Sequence, residues 1–122
     1  MTLEREMREK IRKFFAIMAV EFEDMQDGMG MLIALSEERF KRHEITGYVW
    51  TENTALLKRE KVVIQMLGKR VAALDPETFE SLEDAVTEVR KIIRGMPGIP
   101  QAVPDFVEKR IKKVLLYIKD ET

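Results

Sequence analysis

Side chains that could support catalysis or bind a metal are few in this sequence, which contains one histidine and no cysteine. The residue three positions before His43 is Phe40, so the Glu-x-x-His pairs that hold two iron ions in carboxylate bundles cannot form. One histidine without any cysteine also falls short of the usual zinc ligand sets and gives no basis for a nucleophile triad. The sequence therefore predicts no catalytic residue, no metal site and no cofactor, and it indicates a protein that is not an enzyme.

Four acidic residues crowd one short stretch of the chain, namely Glu21, Glu23, Asp24 and Asp27. Two interpretations are open. The cluster binds a cation or a basic partner, or it is a helix end that solvent and a basic side chain from a neighbouring helix neutralise. Hard cations prefer oxygen ligands arranged on a loop, whereas this segment is predicted to be helical, so we favour neutralisation.

Basic residues collect on two of the predicted helices. Lys109, Lys112 and Lys113 form a candidate basic patch near the C-terminus, and residues 58–70 contribute a second basic face. An accessory nucleic-acid-binding subunit that uses both faces is the alternative function. The formal net charge is −1, and no aromatic side chains alternate with these lysines to stack on bases. Solvated charged faces are therefore favoured, and we expect no binding to nucleic acid.

Five residues near predicted chain reversals are candidates for contact with a protein partner: Met25, Met29, Met31, Tyr48 and Trp50. The methionines surround a segment with two glycines, and their flexible side chains suit surfaces that adapt to a partner. The two aromatic residues lie at a predicted break between helices, where a large ring either anchors an interface or fills the core. Core packing is the competing interpretation for all five.

Helices must position these residues, because apolar side chains recur every three or four residues along most of the chain. The pattern predicts an all-α fold, a single-domain bundle over residues 1–122 of four to five helices with a proline-rich linker before the last helix. The predicted helices span residues 3–25, 31–45, 52–74, 75–96 and 105–119. A single helix over residues 31–74 is the alternative for the second and third.

Glycine, proline and capping residues mark the predicted boundaries. Two glycines indicate a turn over residues 27–30, and poor helix formers indicate a break over residues 46–51. For the fourth helix, Asp75 is a good N-cap and Pro76 suits the first helical position. Three prolines within residues 96–104 predict an extended linker, because proline restricts both itself and the residue before it.

The segment from Phe14 to Val20 has no polar side chain, so a helix formed by it has no face for water. Either the other helices of the chain surround this helix, or a second copy covers the part that they leave bare. We expect a homo-oligomer, most simply a dimer, with this helix at or beside the interface. The candidate interface residues are Phe14, Phe15, Met18 and Phe22.

The composition fits a globular protein that works away from membranes. Apolar residues make up 45% of the chain and charged residues 35%, and the longest apolar run, residues 14–20, is far shorter than a membrane span of roughly 20 residues. The charged N-terminal segment lacks the pattern of a signal peptide, so we expect a cytoplasmic location. Abundant Glu, Lys and Arg with few amide side chains also suggest a thermophilic source.

These features favour a non-enzymatic helical bundle that acts through protein–protein interaction and through self-association. Long charged helices with an apolar seam are shared by many small adaptors, chaperones and assembly subunits. Nothing in the sequence selects one of these roles, so the partner is left open.

Overall fold

A computed structural model of the protein describes residues 2–120, which form four α-helices and one short 3₁₀ turn. The helices are α1 (Thr2–Lys41), α2 (Gly47–Ala72), α3 (Leu82–Gly95) and α4 (Ala102–Asp120), and the 3₁₀ turn spans Pro76–Thr78. No β-strand occurs in this part of the chain. The prediction of an all-helical protein is confirmed.

The first helix, α1, is continuous over 40 residues, so the turn predicted over residues 27–30 is wrong and the first two predicted helices are one. A glycine inside a helix costs about 1 kcal/mol relative to alanine, and both Gly28 and Gly30 are helical. The packing of neighbouring side chains outweighs this cost, because Met25 and Met29 bury their side chains in the core.

The chain reverses direction directly after α1. His43 is exposed and adopts a left-handed conformation, with φ of 61°. Thr46 then caps α2, because its hydroxyl oxygen accepts a hydrogen bond from the backbone N–H of Val49 at 3.2 Å. The break predicted over residues 46–51 therefore lies too far along the chain, largely inside α2, and the alternative of one helix over residues 31–74 is wrong.

The two long helices, α1 and α2, pack side by side as an antiparallel pair. Near the chain reversal, Phe40 on α1 stacks on Trp50 of α2. Further down, the backbone of α2 comes close to α1 at Gly68, where an added Cβ would lie 3.2 Å from the Cβ of Phe22. The absence of a side chain at Gly68 therefore favours this close approach, because a Cβ there would require Phe22 to shift by a few tenths of an ångström.

The two shorter helices, α3 and α4, pack against the α1–α2 pair and complete the core. α4 runs antiparallel to α1, since Arg110 binds Glu21 and Asp24 while Tyr117, further along α4, faces Lys13. The largest fully buried side chains are Phe14, Ile11, Met18, Ile64, Leu67, Ile111, Ile118, Val89, Val103, Val107 and Val114.

The starts of α3 and α4 differ from the prediction. Asp75 accepts a hydrogen bond from the backbone N–H of Glu77, but it caps the 3₁₀ turn rather than an α-helix. Ser81 is the N-cap of α3, which therefore begins at Leu82. α4 begins at Ala102, inside the proline-rich segment predicted to be extended, because a proline in the first turn of a helix loses no helical hydrogen bond.

The four residues predicted to form an oligomer interface lie in the core of a single chain. Phe14 and Met18 are fully buried, and Phe22 and Phe15 are 2% and 9% exposed. Phe15 also stacks on the ring of Phe79, which precedes α3, with ring centroids 5.6 Å apart. Other parts of the same chain cover these side chains, so the expectation that a second copy contacts them is corrected.

Candidate functional site

The two long helices extend beyond the rest of the bundle as a hairpin. The connection between α3 and α4 meets α2 at Arg59, whose guanidinium donates a hydrogen bond to the carbonyl oxygen of Gly98 at 2.8 Å. Arg59 lies level with the region of Gly30 on α1, because the Nζ of Lys61 lies beside that glycine. Residues 32–58 therefore continue past α3 and α4. At 1.5 Å per residue, this hairpin tip is about 15 Å long.

One side of the hairpin tip carries a groove of about 220 Å³ between α1 and α2. The residues of this tip groove are Leu32, Leu35, Ser36, Arg39, Ile45, Asn53, Leu56 and Leu57. Three of the leucines are about half exposed: Leu35 at 55%, Leu56 at 51% and Leu32 at 45%. Exposed leucines gathered on two adjacent helices form an apolar patch, a feature that marks many protein-binding surfaces.

The tip groove continues the side of α1 that α4 covers within the bundle. Glu21 and Asp24 on this side bind Arg110 of α4. Steps of three or four residues from Asp24 lead to Leu32 and Leu35, and residues at this spacing share one face of a helix. The face of α1 that packs against α4 therefore extends into the tip, where no residue of α3 or α4 lines the groove.

Inside the hairpin tip, stacked rings join the two helices. The rings of Phe40 and Trp50 have centroids 4.5 Å apart and planes inclined by 8°. Within residues 2–120, the buried side-chain polar atoms that lack a hydrogen-bond partner are Ser36 Oγ, Trp50 Nε1 and Thr54 Oγ1, and all three belong to the tip. Each such group costs about 1–3 kcal/mol, so the tip is less stabilised than the bundle.

The five candidate partner-binding residues fall into two groups. Met25 and Met29 are core residues at 5% and 8% exposure, so the competing interpretation is correct for them and they offer no surface to a partner. Met31 directly precedes the tip and is 73% exposed, and Tyr48, in the tip at the start of α2, is 75% exposed. Trp50 is half-buried in its ring stack. Met31, Tyr48 and Trp50 therefore remain candidates.

The three half-exposed leucines of the tip groove are not distinguished by the sequence pattern. Leu32, Leu35 and Leu56 fit the apolar spacing of helices, and that spacing alone assigns them to a buried stripe. A difference in helix length distinguishes these leucines from the buried residues of the same helices. α1 and α2 have 40 and 26 residues, whereas α3 and α4 have 14 and 19, so the shorter pair cannot cover the longer one.

Two acids of the cluster, Glu21 and Asp24, are neutralised by basic side chains of α4, as the favoured interpretation predicted, but the cluster lies inside α1 and not at a helix end. Arg110 Nη1 lies 3.1 Å from Glu21 Oε2 and 2.6 Å from Asp24 Oδ2, and Lys113 Nζ lies 2.8 Å from Glu21 Oε1. The hydrogen bond and the charge of Arg110 hold the pKa of Asp24 below its usual range. The other two acids of the cluster are exposed.

The candidate basic patch lies on α4, with part of its charge compensated. Lys109 and Lys112 are exposed, but Lys113 forms the ion pair with Glu21 and its neighbour Arg110 binds the same carboxylate. These pairs lower the positive potential that the patch presents to a polyanion.

A second groove, of about 610 Å³, lies between α3 and α4. Its lining residues are Leu82, Glu83, Val86, Thr87, Arg90, Lys112, Leu115, Leu116 and Lys119. The guanidinium of Arg90 is already held by two hydrogen bonds to the carboxylate of Glu108, and Leu116 is the one strongly exposed apolar side chain of the lining. The other apolar side chains of this lining are buried or only partly exposed, whereas three half-exposed leucines line the tip groove.

Among residues 2–120, no three histidine or acidic side chains converge in a way that could hold a metal ion. The helices of the same residues include none with the length and apolar character needed to cross a membrane.

Comparison of the chain with protein-family models, with curated proteins and with solved structures found no match.

Proposed function

We propose that this protein acts by binding a polypeptide through the tip groove rather than by catalysing a reaction. The observation that carries the proposal is the row of half-exposed leucines, Leu32, Leu35 and Leu56, on a hairpin that extends past the bundle. An adaptor or an assembly subunit needs this kind of surface, which is apolar in its centre and polar at its rim.

Covering the groove supplies part of the free energy that binding a partner requires. Full burial of a leucine contributes about 1.5–3 kcal/mol, and half of this surface remains to be buried at each of the three leucines. Their cover therefore contributes about 2–4 kcal/mol in total. Polar side chains at the rim, Arg39 and Asn53, and the exposed ring of Tyr48 can add hydrogen bonds and contact area.

A helix is the partner element that best fits this groove. The groove runs between two antiparallel helices, and an amphipathic helix places its apolar face into such a cleft through residues three and four apart. Within the bundle, the same side of α1 already packs against a helix in this way, through Arg110 and the apolar face of α4. We therefore expect the partner to supply one or two helices.

Photo-crosslinking tests this proposal. A benzophenone-bearing amino acid replaces Leu35 or Leu56, and the matched control replaces Leu3, which is on the same helix as Leu35, lies outside the tip and is 80% exposed. We expect protein adducts from positions 35 and 56 after irradiation of expressing cells. No adduct from these positions, or equal adduct formation from position 3, would contradict the proposal.

The alternative, an accessory nucleic-acid-binding subunit, gains no specific support. Arg110 and Lys113 form ion pairs with acidic side chains of α1, so part of the positive charge of α4 is already compensated. The net charge of the chain is −1. We expect duplex DNA to bind no tighter than about 10⁻⁵ M at physiological salt. A tighter complex that weakens steeply with added salt would favour the alternative.

A further inference from the structure

We infer that the tip groove is occupied by the hairpin tip of a second copy of this chain, placed antiparallel to the first by a two-fold axis. This inference rests on the proposed function, since it names the partner that the tip groove binds. The two copies would bury the same surface on each side and form a four-helix bundle from two hairpins.

The shape of the monomer selects the antiparallel arrangement. Near the contact between Arg59 and Gly98, the layer formed by α3 and α4 ends, and the tip continues alone. A second hairpin that points in the opposite direction fills this open layer, and the two bundles lie at opposite ends of the dimer. A parallel arrangement would bring the second hairpin into the space that α3 and α4 already occupy.

In this arrangement, the charges that flank Leu56 in one copy meet opposite charges in the other copy. Glu52 lies one turn before Leu56 and Arg59 lies one turn after it, and all three side chains are exposed. In an antiparallel pair centred on Leu56, a residue one turn before the centre faces the residue one turn after the centre of the other helix. Glu52 of each copy therefore faces Arg59 of the other, which has guanidinium donors beyond the one that binds Gly98.

The α1 helices are also compatible with this pairing. Centring on Leu35 places the apolar side chains of Met31 and Leu32 near the aliphatic stem of Arg39 from the second copy, and no like charges meet. The segment from residue 31 to residue 60 contains as many acidic as basic side chains. Two tips can therefore approach without net repulsion.

Charge exchange at positions 52 and 59 tests the inference. Glu52→Arg and Arg59→Glu each place like charges across the two-fold axis, so each variant alone should dimerise about tenfold more weakly than the wild type in sedimentation velocity. An equimolar mixture of the two variants places opposite charges at both contacts, and it should recover the dimer. Glu4→Arg, at an exposed position of α1 outside the tip, should leave dimerisation unchanged.

A second measurement does not depend on Arg59, whose substitution also removes the bond to Gly98. Because the chain contains no cysteine, Leu56→Cys provides one thiol, which should oxidise to a disulfide-linked dimer. Leu116→Cys, exposed on α4, should not. The inference would be overturned if the mixture of Glu52→Arg and Arg59→Glu dimerised as weakly as each variant alone and if position 56 formed no selective disulfide. Photo-adducts from position 35 to a different protein alone would overturn it and leave the proposed function standing.

Discussion

The ring of Phe40 at the end of α1 lies almost parallel to the indole of Trp50 in the first turn of α2, with centroids 4.5 Å apart. This stack joins the two helices where the chain reverses, in the part of the hairpin that α3 and α4 do not cover. Because Trp50 is the single tryptophan of the chain, its fluorescence reports on this position alone.

Replacing Phe40 with leucine should loosen the hairpin tip and expose the indole. The lost ring contact is worth about 0.5–1.5 kcal/mol beyond area burial. We expect a red shift of the Trp50 emission in Phe40→Leu while the helical circular dichroism remains close to that of the wild type. Phe106→Leu, at a partly exposed position on α4, is the control and should leave the emission maximum unchanged. An unshifted spectrum in Phe40→Leu would mean that the stack does not order the tip.

Two glycine substitutions should change stability in opposite directions. A Cβ at Gly68 would lie 3.2 Å from Phe22, which is buried, so Gly68→Ala overpacks the crossing and should destabilise the fold by about 1 kcal/mol. A Cβ at Gly28 meets nothing within 4 Å, so Gly28→Ala should stabilise by about 0.5–1 kcal/mol through helix propensity. Urea denaturation of both variants measures the difference, and stabilisation by both would contradict the close packing at Gly68.

The behaviour of these glycines shows what the sequence can predict. The three-and-four spacing of apolar residues correctly predicts helices along nearly all of the chain. The glycines of residues 27–30 nevertheless fail to end α1, because the tertiary packing of Met25 and Met29 exceeds the helix penalty of glycine. The actual reversal depends on the left-handed conformation of His43, which no local residue preference indicates strongly.

The candidate site could be predicted only in part for a related reason. Tyr48 lies on the hairpin tip and Met31 directly precedes it, but Leu35 and Leu56 carry the same pattern as buried residues of the same helices. Whether a leucine on a helical stripe is covered depends on how far the other helices reach along it. That distance depends on where the chain reverses between α1 and α2. Because the sequence pattern predicts this reversal at the wrong residues, it does not reveal the exposed groove.

Glu60 is a buried carboxylate on α2, and no hydrogen bond or ion pair within residues 2–120 reaches it. Burial raises its pKa, so the charged form costs stability at neutral pH, and this cost disappears as the pH falls below the raised value. Glu60→Gln should therefore stabilise the protein at pH 7 by on the order of 1 kcal/mol. The gain, measured by thermal unfolding, should vanish in acid. A loss of stability at pH 7 would show that the carboxylate has a partner.

The ion pair between Asp24 and Arg110 should produce the opposite pH dependence. The hydrogen bond from Arg110 lowers the pKa of Asp24 in the folded state, so its contribution is present above the ordinary value of 3.8 and is lost as the pH falls below it. Asp24→Asn should lower the melting temperature at pH 7, and the difference from the wild type should close in acid. Asp27→Asn, at an exposed acid of the same cluster with no ion pair described, is the control. Equal effects of the two variants would contradict a specific pair.

Self-association through the tip groove is the central claim, and light scattering on a sizing column tests it most directly. At tens of micromolar, the wild type and Leu3→Glu should both elute at about twice the chain mass of 14.3 kDa. The double variant with Leu35→Glu and Leu56→Glu should have the mass of one chain, because its two unpaired charges cannot be buried at the centre of the interface. A wild-type mass of 14.3 kDa would contradict the dimer, and a dimer that survives the double substitution would contradict the tip groove as its interface.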